Sequence, residues 1–219
     1  MKRTRKFVAL ALVALASAVA LQSFVINKPA KSSEEVLTSA DSSVAGDWAV
    51  DVAHSTVKFT VSHLVISEVE GNFKVYSGSV NANGNDFSNA KVDFSVDVNS
   101  IDTDNEMRDK HLKSDDFFNA AKFPTMKFKS TSFKKGKGNK YTLAGDLTIR
   151  DVTKSVKFDV TYGGTAKDGY GNTKAGFKAS TTINRFDYGL KWNALTEAGG
   201  ATVGKEVDID LKLELAAKK

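Results

Sequence analysis

Asp51, His54 and Ser55 are the residue types of a hydrolytic triad, set close together about a quarter of the way along the chain. On an extended strand, however, Asp51 and Ser55 share one face while His54 points to the other. No Gly-x-Ser-x-Gly elbow lifts a serine into reach of substrate, so nucleophilic catalysis is not expected. His54, His63 and His111 are the three histidines, and none has a neighbour at H-x-x-x-H spacing, so no metal site is expected either. Asp115 and Asp116 are adjacent in a turn, which suits solvated charge better than acid–base work. The chain has no cysteine, which removes thiolate nucleophiles, disulfides and sulfur-ligated zinc. Two polar residues remain, both on faces that should point inward: His63 and Arg185. A polar group on an apolar face is costly unless paired. Each therefore either holds the polar end of a ligand at a cavity mouth or is satisfied locally where its strand ends. For His63 the strand end is the simpler account; for Arg185 both stand.

The elements that would position these residues are strands. Val57, Phe59 and Val61 alternate with Thr56, Lys58 and Thr60; Val92, Phe94, Val96 and Val98 alternate with polar residues. Val156, Phe158, Val160 and Tyr162 repeat the pattern, Phe177, Ala179, Thr181 and Ile183 do so more weakly, and Val207 to Leu215 gives the cleanest case. Period two means one apolar face and one wet face. Further strands are expected at Phe73–Ala82, Thr125–Phe133 and Tyr141–Ile149, with hairpin signals at Asn83-Gly84, at Lys137-Gly138-Asn139 and along Gly163 to Asn172. About eight or nine short strands predict an all-β sandwich or up-and-down barrel. No long amphipathic helix follows any strand, which excludes helical repeats and dinucleotide-binding α/β units.

One segment departs from this pattern. Thr103-Asp104-Asn105-Glu106 reads as a capping box, with Asp104 and Arg108, and Met107 and His111, four apart, so a short helix to about Ser114 is expected. Phe117, Phe118 and Phe123 precede Pro124, which ends it. This aromatic insertion could plug or lid a barrel mouth, or simply cap the core.

The 219 residues are 41% hydrophobic, too apolar for a disordered polymer. Lys2, Arg3, Arg5 and Lys6 are four of the 31 positive charges; the remaining 27 nearly balance 26 acidic residues. A near-neutral body has no bulk electrostatic pull toward nucleic acid. The four cations precede an apolar run, Phe7 to Leu21, that contains the small-residue triplets Ala16-Ser17-Ala18 and Ala18-Val19-Ala20, the form of a secretory signal peptide. Cleavage after Ala18 or Ala20 fits equally. The rival is an uncleaved anchor, against which Gln22 and Ser23 interrupt the run. The expected organisation is a signal peptide at 1–20, a flexible linker at 21–46 and a β domain at 47–219, placed in the periplasm or otherwise exported.

The strings WAVDVAHSTVKFTVSHLVISEVEGNF, NSIDTDNEMRDKHLKSDDFFNAAKFPTMKFKST, LAGDLTIRDVTKSVKFDV and INRFDYGL occur in that order. Together they closely resemble the YceI-like family of polyisoprenoid-binding, lipocalin-like periplasmic proteins, from about Trp48 to Leu215. Matching positions include Asp51, His54, Ser55, His63, Gly71, Ser100, Arg108, Asp109, Leu112, Phe117, Phe118, Pro124, Thr153, Asn184 and Arg185. The resemblance implies a single eight-stranded antiparallel barrel whose interior holds a long isoprenoid chain. Family members often have glycine where this chain has Asp151; aspartate tolerates left-handed geometry, so the turn is expected to survive.

A barrel of this strand number can enclose one slender ligand. The inward rows nominate Val57, Phe59, Val61, His63, Phe94, Val96, Phe128, Phe158, Phe177 and Arg185 as ligand-binding residues; the insertion adds Met107, His111, Phe117 and Phe118. The expected work is binding, storage or transfer of an isoprenoid lipid of polyprenyl or quinone type, with no catalysis and no cofactor besides that lipid. Transient membrane contact and an isologous homodimer both stay open. Two other readings stand beside this one. A structural or stress-related envelope module could have its barrel filled by the 14 phenylalanines, or a minor enzyme could act on a lipid head group through His63, His111 or Arg185.

Overall fold

The structure, a computed structural model, describes residues 43–195 and 202–219. The expected signal peptide and most of the expected linker lie outside them. Apart from one helix and three short 3-10 turns, the described elements are antiparallel strands: β1 (Gly46–Val50), β2 (Thr56–His63), β3 (Ser67–Phe73), β4 (Tyr76–Ala82), β5 (Lys91–Asp97), β6 (Ile101–Asp102), β7 (Thr125–Lys135), β8 (Lys140–Ile149), β9 (Val152–Lys167), β10 (Thr173–Asn184) and β11 (Val203–Ala217). Eight of them close a barrel in the order β1-β4-β5-β7-β8-β9-β10-β11, with β11 returning to β1. The other three, β2, β3 and β6, carry the wall on beside the N-terminal part of β11. They continue β1, β4 and β5 past breaks at a 3-10 turn (Val52–His54), at residues 74–75 and at a second 3-10 turn (Val98–Ser100). Backbone bonds stitch the last two breaks together: Asp97 N to Val75 O (2.9 Å) and Lys74 N to Ser100 O (3.1 Å).

The barrel is long. β9 has 16 residues and β11 has 15, which at about 3.3 Å per residue is roughly 50 Å of strand. One end is packed solid. Phe87, fully buried, stands at the centre of a ring cluster with Trp48 (5.5 Å), Tyr162 (5.6 Å) and Phe177 (4.9 Å, edge to face). It reaches there from the loop at 83–90. The Asn83-Gly84 pair is therefore not a two-residue hairpin turn: the loop is longer because it carries Phe87 into the barrel.

At the other end the chain leaves β6 into α1 (Glu106–Lys113), which packs beside β6. The capping box does not form. Asp104 turns the chain at φ 58°, and the Asn105 side chain caps the helix by accepting from Arg108 N (3.0 Å). Thr103 instead donates its hydroxyl to Asp109 (2.6 Å) and accepts from the Arg108 guanidinium (2.8 Å), so Arg108 does not pair with Asp104.

Three other expectations need correction. β3 is absent from the expected strands, and the expected strand Phe73–Ala82 is in fact the end of β3, a break and β4. The first half of the Gly163–Asn172 segment is strand: β9 continues to Lys167, and the turn at 168–172 is tied by the Asp168 carboxylate accepting from Tyr170 N (2.9 Å) and Asn172 N (2.8 Å). In the β8–β9 turn the left-handed residue is Arg150 (φ 58°), not Asp151.

Three inward glycines decide what the interior holds. A Cβ on Gly71 would strike the ring of Phe59, one on Gly78 the ring of Phe94, and one on Gly145 the ring of Phe128 and the Lys129 carbonyl oxygen. Phe59 and Phe94 lie directly across from their glycines in the strand register. The rings thus lie flat on bare backbone, against the wall rather than across the lumen. Gly145→Ala should overpack this contact and lower unfolding free energy by about 1–3 kcal/mol, read as a fall in the denaturant midpoint; an unchanged midpoint would show that the ring and the Lys129 carbonyl both give way.

Candidate functional site

Between the packed end and the α1 end lies a cavity of about 210 Å³. Of the residues nominated from the sequence, Val57, Phe59, Val61, Phe94, Val96, Phe117, Phe118, Phe128, Phe158, Phe177 and Arg185 line it. Sequence reasoning left out Ile209, Leu211 and Leu213 of β11 and Leu112 of α1, which line it as well. The β11 residues carried the clearest alternation in the chain, so parity could have placed them. Leu112 had only the family pattern to mark it.

His63, Met107 and His111 do not line the cavity. His63 ends β2 beside a register irregularity in β11 between Val203 and Val207, so the inward row stops at Val61. Met107 is 83% exposed. It stands roughly 140° around the helix from Leu112, which faces the lumen. His111 lies on the same outer side and contacts Asp116 through Nε2 (2.9 Å). Its ring meets Phe117 (5.1 Å) and Trp192 (4.9 Å) edge to face, so it braces a cavity wall from behind.

Arg185 lines the cavity and is only 4% exposed. Its guanidinium donates to four backbone carbonyls: Nε to Gly204 O (2.7 Å), Nη1 to Leu190 O (2.6 Å) and Trp192 O (2.8 Å), and Nη2 to Val203 O (3.1 Å). Of its two sequence readings, local satisfaction is the one the geometry supplies. The residue opens a 3-10 turn (Arg185–Tyr188) capped by Asn184, whose side chain accepts from Phe186 N (3.0 Å). Gly189 ends the turn at φ 78°, where a side chain would be strained. The Phe186 ring packs against the guanidinium (4.5 Å), and burial lowers the Arg185 pKa from its usual value. Arg150 supports the same end, donating to Phe117 O (3.3 Å) and Gly189 O (3.2 Å). In that neighbourhood the Tyr188 hydroxyl is buried without a hydrogen-bond partner among the described residues, and burial pushes its pKa up to about 12.

The Asp51–His54–Ser55 trio is built differently from the strand geometry expected of it. Residues 52–54 form a 3-10 turn, so Asp51 accepts from Ala53 N (3.1 Å) and meets His54 Nδ1 (3.1 Å) on one side. Ser55 is turned away: its hydroxyl accepts from Glu214 N (3.0 Å) and donates to Glu214 O (3.4 Å), a strand-to-strand staple. Asp51, His54 and Glu214 present ligand atoms within 4.8 Å of one another, a grouping that residue spacing did not reveal. The Lys174 ammonium stands among them, paired with Asp51 and with Glu214 Oε1 (3.2 Å). Lys174, and after it His54, hold the Asp51 carboxyl at about 2. The arrangement is a cation already seated between carboxylates, and it fastens β10 and β11 to the end of β1.

Two outcomes follow. Arg185→Leu leaves the carbonyls that close this end unpaired and should cost more than about 3 kcal/mol in chemical denaturation, with Arg185→Lys recovering part of it; a loss below about 1 kcal/mol would show the network to be incidental. A depressed carboxylate pKa stabilises the fold above the ordinary value of 3.8 and loses that contribution as pH falls toward about 2. Lys174→Met should therefore lower the melting temperature at pH 7 and flatten its fall between those pH values; a parallel curve for both proteins would refute the coupling.

Residues 48–215 match the model of the YceI-like domain. A UPF0312 protein of Staphylococcus aureus is 36% identical over 171 residues, 78% of this chain and 97% of the relative. Among solved structures, a mutant YCEI protein of Campylobacter jejuni superposes with a TM-score of 0.64 at 33% identity, over 72% of this chain and 90% of that one. A polyisoprenoid-binding domain from Saccharophagus degradans superposes at 0.59 with 16% identity, over 78% and 98%, a likeness of fold. The closed eight-stranded barrel, its single helix and a family match across the whole barrel agree, and the chain belongs to the YceI-like family.

Proposed function

We propose that the barrel binds a long-chain isoprenoid lipid in its lumen and holds it for storage or transfer outside the cytoplasm. One observation carries this reading: part of the cavity wall consists of apolar side chains that are left only half-buried, while the rest of it is covered. Phe59 and Val61 of β2 and Val207, Ile209, Leu211 and Leu213 of β11 all face it, yet none is fully covered. In a filled barrel those rows would be buried. Covering them contributes about 25 cal/mol per Å², so an apolar occupant is favoured. Each five-carbon isoprene unit adds about 4 kcal/mol gross at about 0.8 kcal/mol per carbon, part of which ordering the chain removes.

The size is consistent with a slender guest. A dry cavity of about 150 Å³ takes up benzene, so 210 Å³ admits a short stretch of prenyl chain as it stands. A longer chain enters as the half-covered rows spread. The name of the Saccharophagus domain supports the lipid class, and the basic-then-apolar N-terminus supports export. No cofactor is called for.

Protein purified without detergent from its own envelope should release a prenyl lipid into organic solvent, identified by mass spectrometry. Leu211→Trp, which fills the lumen, should reduce the bound fraction by more than about tenfold while circular dichroism stays that of a β-barrel. Empty extracts, together with failure of the purified protein to take up farnesol, would end the proposal.

A further inference from the structure

The β2–β3 turn lifts three consecutive apolar side chains off the barrel. Val65 is 76% exposed and Ile66 85%, with Leu64 beside them. Leu64 and Val65 sit at φ 53° and 66°. That left-handed region ordinarily goes to glycine or asparagine in turns, and a β-branched residue there is strained. The strain is not offset by packing, since none of the three belongs to the core. Leu195 is exposed on the same rim, tied to the tip through Leu64 N to Thr202 O (2.9 Å) and Thr202 N to Ala194 O (2.9 Å). The cavity comes up to this place: Val61 and Val203 line it, and Val203 pairs with His63, the residue before the tip.

We infer that Leu64, Val65, Ile66 and Leu195 form a tip that inserts into the hydrocarbon edge of a lipid bilayer and sets the cavity mouth against it. The purpose of such docking rests on the lipid-binding reading; the docking itself rests on the tip. The patch is too small for a protein partner. Four aliphatic side chains offer a few hundred Å², against about 800 Å² per partner in a stable dimer. It has no arginine anchor, and the aromatic beside it, Trp192, has its ring engaged with His111 and Phe117. A bilayer asks only for apolar side chains reaching past the head groups, with amphipathic residues at head-group level. Trp192, half-buried, and Lys191, exposed, stand three and four residues before Leu195. Lys205 and Glu206, with Glu68, put both signs of charge near the tip, so no anionic lipid is required.

The absence of native cysteine makes the test specific to the tip, whatever the N-terminal apolar segment does. Full-length Val65→Cys bearing a nitrobenzoxadiazole label should shift to the blue and brighten several-fold on phosphatidylcholine vesicles. The same label at Tyr170→Cys, in the turn at the opposite end, should stay unchanged. Adding Ile66→Asp to the Val65→Cys chain should weaken vesicle-induced brightening more than about tenfold. A silent label on Val65→Cys overturns the inference, as does a blue shift that appears without vesicles and grows with protein concentration, which would mark a second copy as the occupant. A silent label on protein whose extracts contain prenyl lipid removes the docking alone. An inserted label on protein with empty extracts and no uptake of farnesol upholds the docking and removes the carrier reading.

Discussion

The hollow exists because aromatic rings rest on glycines. Phe59 on Gly71, Phe94 on Gly78 and Phe128 on Gly145 each occupy the space of a missing Cβ. Were those positions alanine, the rings would have to rise off the wall into the lumen. A ring lying flat still buries its area against backbone and neighbours, so stability and empty space coexist. Two other phenylalanines are placed differently. Phe87 and Phe133 gather with Trp48, Tyr141, Tyr162 and Phe177 in the packed end, where filling the barrel does no harm to the cavity.

The α1 end is held by polar contacts instead. Arg185 gathers backbone carbonyls from the segment after its own turn and from the start of β11, and Arg150 ties the insertion to Gly189. Hydrogen bonds to carbonyls fix loops that have too little apolar surface to fix themselves. The two ends thus rely on different forces: dispersion and apolar burial at one, charge-assisted hydrogen bonds at the other. The lysine seated between Asp51 and Glu214 performs a similar task on the flank, where the wall bends between β1 and β2.

Much of this was legible from the residues. Period two placed β2, β5, β9 and β11 and gave their inward rows, because a one-residue slip would turn an entire row to solvent. β3 escaped notice because its inward row reads Val69, Gly71, Phe73, and a glycine in the row hides the period. Parity failed at His54 because it assumes unbroken strand, and a 3-10 turn intervenes. It also overreached at His63, where the strand stops. Met107 and His111 were nominated as part of an aromatic insertion, yet α1 turns Leu112 inward and them outward. A short helix with one apolar contact carries too weak a periodicity to orient from sequence. Phe87 belongs to no alternating row, and nothing local distinguishes a loop that folds back into a barrel from one that does not.

The aromatic stopper around Phe87 makes the barrel a blind tube. Whatever enters must leave by the way it came, and it cannot be threaded through from one side to the other. For the lipid proposed above, a blind tube would also measure: a tail that reached the stopper would leave every further carbon outside. Depth, set by where Phe87 and Phe177 stand, is then a gauge of tail length.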